Sequence, residues 1–138
     1  MNPTISYVAA AARNLTRKGV AAARAGRTEE AVTHYRAALT QEPGHMAAHV
    51  NLASLLLHSG QAEGALEACQ AAMELEESSQ HPYLWLVSGM AKAELGQRWE
   101  AEEDLLHYQD HAPDPRFTRV VWRTLRELDR SAAFTRAA

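Results

Sequence analysis

Seven histidines and one cysteine are the residues of this 138-residue chain best suited to chemistry, and four of the histidines stand in pairs at helical spacing. His45 with His49, and His107 with His111, would each share one helix face and could begin a metal site. Two imidazoles fall short of a closed zinc site, and a lone cysteine offers no paired-thiolate motif. His34 could be imagined as a phosphate-accepting histidine, but no motif supports it. The chain also lacks a phosphate-cradling glycine loop, a metalloprotease helix signature and a nucleophilic serine elbow. No catalytic residue, metal or cofactor is expected, and the protein reads as a non-enzyme.

The elements that would carry these residues recur along the chain. Gly26, Gly60 and Gly96 are spaced 34 and 36 residues apart, a period that marks a solenoid. Seven residues before each glycine stands a small residue, Gly19, Ala53 or Gly89, and five after each stands Ala31, Ala65 or Ala101. Twelve after come Ala38, Ala72 and Tyr108, and seventeen after come Pro43, Glu77 and Pro113. Small residues at these offsets let two antiparallel helices touch, while Leu15, Tyr35, Leu52, Leu56, Cys69, Trp85 and Leu105 fill the remaining volume. The unit is a helical hairpin, used three times.

This pattern resembles the tetratricopeptide repeat family. Leu15, Gly19, Gly26, Ala31, Tyr35, Ala38, Leu39 and Pro43 fit it in the first copy, and Trp85, Gly89, Gly96, Ala101 and Pro113 in the third. The second departs at His49, Cys69 and Glu77, where a large apolar residue, an aromatic and proline are usual. The resemblance covers residues 12 to 113. It implies an all-α, right-handed α-solenoid with repeats at about 12–45, 46–79 and 82–115 and a seventh, capping helix at about 115–131, all one domain. It also places Cys69 inside a hairpin as a small buried hydrophobe and His49 as a packing residue.

Composition agrees, since 27 alanines favour helix and no long run alternates apolar with polar as a strand would. Residues 1–8 lack the basic and apolar regions of a secretory signal, and no apolar run is long enough to span a bilayer. A cytoplasmic protein without membrane insertion is expected.

Local signals set the helix ends. Asn2 or Thr4 can cap a first helix that runs on to Ala25, with Ile5, Tyr7 and Val8 on turns beyond what one repeat needs. Those three either lie on the first repeat's own surface or form a dimer contact or lid. Thr28 is placed to cap the second helix, which stops near Gln41 ahead of Pro43-Gly44, and the next hairpin takes 46–59 and 62–76. Residues 77–81 hold the insertion, Pro82 opens the helices near 82–95 and 98–111, and Asp114-Pro115 starts the last. On that helix Phe117, Val121, Leu125 and Leu128 form one stripe, and Arg116, Arg119, Arg123, Arg126 and Arg130 the opposite one, beside Trp122. Net charge is −3, which argues against nucleic acid as the main ligand. Arg13, Arg17, Lys18, Arg24 and Arg27 make the beginning basic. Glu63, Glu67, Glu74, Glu76, Glu77, Glu100, Glu102, Glu103 and Asp104 make the middle acidic, with much of it expected to face solvent.

The family's concave surface is lined by the first helix of each hairpin. The resemblance places there Arg13, Val20 and Arg24, then Val50, Asn51, Leu57 and His58, then Tyr83, Leu86, Val87 and Met90. Relatives that grip the acidic tails of heat-shock chaperones use a clamp of lysines, an arginine and asparagines. Thr16, Val20, Tyr83 and Val87 hold four of those five places here, and only Asn51 matches. The expected partner is therefore an apolar peptide or helix of another protein, held by an adaptor, assembly factor or chaperone; the build is also similar to the chaperones of type III secretion translocators. The alternative is a self-associating protein joined through Ile5, Tyr7, Val8, Arg119, Trp122 and Arg126. Ala31 and Ala38 are read as inward sites and Ala68 as an outward one.

Overall fold

The computed structural model describes residues 3–111 and 113–137, which form seven α-helices and one short 3-10 segment. Three antiparallel hairpins follow one another: α1 (Pro3–Arg24) with α2 (Thr28–Gln41), α3 (Met46–His58) with α4 (Ala62–Met73), and α5 (Tyr83–Glu94) with α6 (Arg98–His111). The 3-10 segment Glu76–Gln80 bridges the second and third, and α7 (Pro115–Ala137) packs on α5 and α6.

Each hairpin turns on one glycine. Gly26, Gly60 and Gly96 have φ of 76°, 74° and 75°, the left-handed region in which a side chain is strained. The residue after each glycine donates its N–H back to the carbonyl five positions earlier, Arg27 to Ala22, Gln61 to Leu56 and Gln97 to Lys92, each at 2.9 Å. The glycine N–H reaches the carbonyl three positions back at 3.0 to 3.2 Å. This Schellman arrangement satisfies carbonyls that a helix end leaves unpaired and reverses the chain in two residues.

Close approach does the rest. A Cβ on Gly19 would lie 2.5 Å from the Tyr35 ring, and one on Gly89 would lie 2.8 Å from Leu105 Cγ and 3.2 Å from the Ala101 carbonyl oxygen. Ala31, Ala38, Ala65, Ala72 and Ala101 are fully buried at the repeating offsets. One core runs through the first two hairpins to Leu84, Val87 and Ala91, and a second joins Leu86, Leu105, Tyr108 and Val121 beneath α7. The apolar stripe expected on α7 is the face that docks, with Phe117, Leu125 and Leu128 packed beside Val121. Asp114 caps this helix, its Oδ1 accepting the Arg116 N–H at 2.9 Å while Pro115 takes the first helical position.

Several local expectations need correction. Thr28 lies inside the first turn of α2 and makes no cap; Arg27 precedes the helix and pairs with Glu30 at 2.6 Å instead. Thr4 lies within α1, whose first residue is Pro3, and Asn2 falls outside the described residues. The fourth helix stops at Met73 rather than 76 because the 3-10 segment takes over, and α7 continues to Ala137 rather than 131. Ala68 is buried in the main core, so the outward position on α4 is Ala71. Ile5 and Tyr7 are 65% and 78% exposed, so the start of α1 projects past its hairpin instead of folding onto it.

Leucine at Ala31 should overpack the first hairpin and lower unfolding free energy by about 1–3 kcal/mol, as should alanine at Gly89, whose added carbon meets backbone that cannot yield. Ala71→Leu and Gly44→Ala, at exposed sites, should stay within about 0.5 kcal/mol of the parent. Urea unfolding at constant slope reads all four.

Candidate peptide-binding groove

The first helices of the hairpins touch in series, α1 against α3 and α3 against α5, and their free sides are the candidate groove. Val20, Val50, Leu57 and Tyr83 sit on it half-buried, rooted in the core yet partly open to solvent. Asn51 is half-buried among them, and Arg13, Arg24 and His58 are exposed at the margins. Ser54 takes part in two polar bonds here, one between helices and one within α3. Ser54 Oγ and the Tyr83 hydroxyl are 3.2 Å apart across α3 and α5, and the His58 Nδ1–H donates to the Ser54 carbonyl at 2.7 Å.

The third hairpin offers less than the sequence suggested. Leu86 and Val87 are 4% and 1% exposed and belong to the core, which corrects their assignment to the groove surface. The reason is crowding, because α5 packs against α4, α6 and α7 as well as α3, and six of its twelve residues are buried. The capping helix also covers part of what remains. Thr124 Oγ1 lies 3.5 Å from Met90 Sδ, and the Tyr83 and Phe117 ring centres lie 5.5 Å apart. Of the second proposed surface, Ile5 and Tyr7 are exposed on α1 with Val8 half-buried, while Arg119, Trp122 and Arg126 are exposed on α7. The start of α1 and the outer face of α7 are not brought together, since α1 packs on α2 and α3.

Four of the histidines have defined neighbours in the fold. His49 is buried, and its Nε2–H donates to the Pro43 carbonyl at 2.8 Å, tying α3 to the preceding turn. His45 Nδ1 lies 3.1 Å from Glu42. His107 and His111 stack with ring centres 4.0 Å apart, and the Trp85 ring centre lies 4.2 Å from that of His107. Among the described residues no group of three or more potential ligands is assembled.

Sequence reasoning missed one buried polar cluster. Asp104 is 3% exposed, correcting its place among the solvent-facing acids; its Oδ2 accepts from Ser88 Oγ at 2.6 Å and pairs with Lys92 Nζ at 2.7 Å. The signal was present, for Asp104 stands three residues after Ala101 and four before Tyr108, on the inward face of α6. Cys69 lies fully buried, and its Sγ–H points to the Leu84 carbonyl at 3.8 Å. Burial first and the Asp104 charge second push its thiol up to about 12.

Three stacked hairpins with a capping helix define an α-solenoid of paired helices. The tetratricopeptide repeat profile matches residues 16–82, so this stretch is similar to that family, and three hairpins with a capping helix agree with its architecture. It is 32% identical over 83 residues to the peptidyl-prolyl cis-trans isomerase FKBP42 of Arabidopsis thaliana, covering 60% of this chain but only 22% of that protein's length. The Arabidopsis OM64 TPR domain is similar at a TM-score of 0.78 and 24% identity, over 87% of this chain and 98% of that one. The first TPR of Spaghetti (RPAP3), bound to an HSP90 peptide, gives 0.80 and 22% over 91% and 95%. The second TPR domain of human RPAP3, in complex with an HSP70 peptide, gives 0.73 and 19% over 90% and 97%. These likenesses carry the fold.

Cys69 should resist a thiol-specific disulfide reagent at pH 8 in the native protein and react fully once urea unfolds it. Its raised pKa also means that the folded state keeps a proton the unfolded state releases. Stability should therefore fall as pH rises from about 9 towards 12, and burial that pushes Tyr35 up acts in the same direction. Cys69→Ala, unfolded over the same range, should show a shallower alkaline loss.

Proposed function

We propose that this chain is a non-enzymatic, cytoplasmic binding module that holds an apolar segment of another protein against its inner helices. The row Val20, Val50, Leu57 and Tyr83 carries the reading, because these side chains remain partly open although the core beneath them is complete. Two of the similar structures hold peptides of HSP90 and HSP70, which supports peptide binding as a use of this architecture. The side chains here favour a different ligand chemistry. At the places where chaperone-tail relatives grip a carboxylate, Thr16 is buried with its hydroxyl donated to the Ala12 carbonyl at 2.9 Å, and Val87 lies in the core. Arg13 and Arg24 at the rim would steer an approaching partner without fixing a C-terminal carboxylate.

A second reading is self-association through the helices at the two ends of the chain. It is favoured by Ile5, Tyr7 and Trp122, which are among the large apolar side chains most exposed to solvent.

Fluorescence anisotropy with two labelled probes tests the groove. A leucine-rich amphipathic peptide should bind, and Leu57→Glu should weaken it by at least about tenfold, as expected for an apolar anchor. The HSP90 peptide SRMEEVD should not bind measurably. The reading fails if Leu57→Glu leaves binding of the leucine-rich probe intact at unchanged helical circular dichroism, or if SRMEEVD binds and loses affinity when its C-terminus is amidated.

A further inference from the structure

Two large apolar groups lie on a face that neither reading uses. Trp99 and Leu106 on α6 are 66% and 41% exposed. With Glu103 and Asp110 they form a single stripe at spacings of three, four and seven residues, opposite the buried Ala101, Leu105 and Tyr108. The Arg98 guanidinium sits 4.6 Å from the Trp99 ring centre and still leaves most of the indole in solvent. A stripe of the opposite sign runs along α7, where Arg119, Trp122, Arg126 and Arg130 are exposed behind the docked Val121, Thr124 and Ala132. Among the described residues none of Glu103, Asp110, Arg119, Arg126 and Arg130 forms an ion pair.

We propose that these stripes are the two halves of one contact: the arginine and tryptophan face of α7 docks on the tryptophan and carboxylate face of α6 in a second copy of the chain. The proposal rests on the self-association reading and moves one side of that contact from α1 to α6. Charge complementarity selects it, and so does spacing. Glu103 and Asp110 recur at seven residues, as do Arg119 and Arg126, so two helices laid side by side bring cation to anion along their length. An indole beside each row supplies the apolar part, in the residue types that dominate interface energetics.

The other charged faces fit less well. Helix α4 carries Glu63 and Glu67 but no exposed large apolar group. On α1 the exposed Ile5 and Tyr7 lie six or more residues before the first cation, Arg13, or about 9 Å along the helix, so apolar and charged groups do not interleave. Each copy carries both stripes, and a two-fold axis between copies would make the contact twice and close the assembly as a dimer.

Sedimentation velocity over a rising concentration series at low salt reads the contact. The parent chain should associate, and added salt should weaken the association. Arg119→Glu with Arg126→Glu, and separately Glu103→Arg with Asp110→Arg, should each raise the dissociation constant by at least about tenfold. An equimolar mixture of the two variants should associate again, because reversed charges then meet opposite signs, a recovery that misfolded chains would not show. A parent chain that stays monomeric throughout would overturn both this contact and the self-association reading. Association that survives both charge reversals but is lost in Ile5→Ser with Tyr7→Ser would overturn this contact alone.

Discussion

Two helices can lie together along their whole length only where the facing side chains leave room for both backbones, and every level of this structure depends on that requirement. The three copies meet it with compensating volumes. Gly19 faces Tyr35, Gly89 faces Leu105, and at the equivalent register of the second hairpin the pair is Ala53 and Cys69. Where the small residue gains a methyl group, the large one shrinks to a thiol. The departure of Cys69 from an aromatic is therefore a packing solution, and its thiol, held protonated by burial, is consistent with a purely structural part.

The third hairpin adds a polar constraint to the steric one. A carboxylate buried beside a hydroxyl and an ammonium is costly to place but strongly directional, since each partner must reach the same oxygen. Ser88 and Lys92 stand four apart on α5, so Asp104 reads one turn of that helix and sets the height of α6 against it. Sliding α6 by a turn would strand the charge. The stack of Trp85, His107 and His111 adjoins Ser78, Ser79 and Pro82 around a cavity of about 390 Å³, so the two-residue insertion is accommodated at an edge of this hairpin rather than inside it.

The hairpins were legible in the sequence because their determinants are local and repeat. A glycine that must hold positive φ, an alanine five residues on and a proline or equivalent at the end fix turn, contact and stop without reference to the rest of the chain. Asp114 and Pro115 were legible for the same reason. Burial on α5 was not, because it depends on how many neighbours one helix acquires. A period of 3.6 residues divides inner from outer face, but α5 is covered on several sides, and Leu86 and Val87 pass from groove to core without any change in pattern. Asp104 misled in the opposite sense, since its charge outweighed its position in the reading although its register beside Leu105 was inward. Trp99 and Leu106 drew no notice because neither departs from the repeat at a determining position.

The capping helix links these observations. A solenoid end exposes the apolar side of its last hairpin, and α7 covers it with Phe117, Val121, Leu125 and Leu128. In doing so it also engages Tyr83 and Met90, two residues of the candidate groove. The same helix must present its other face to solvent, and five arginines from Arg116 to Arg130 keep that face polar. Trp122 stands among them with half of its surface open to solvent. A half-exposed indole between cations, on a helix whose apolar side is already docked, leaves apolar surface open on the outer face of α7.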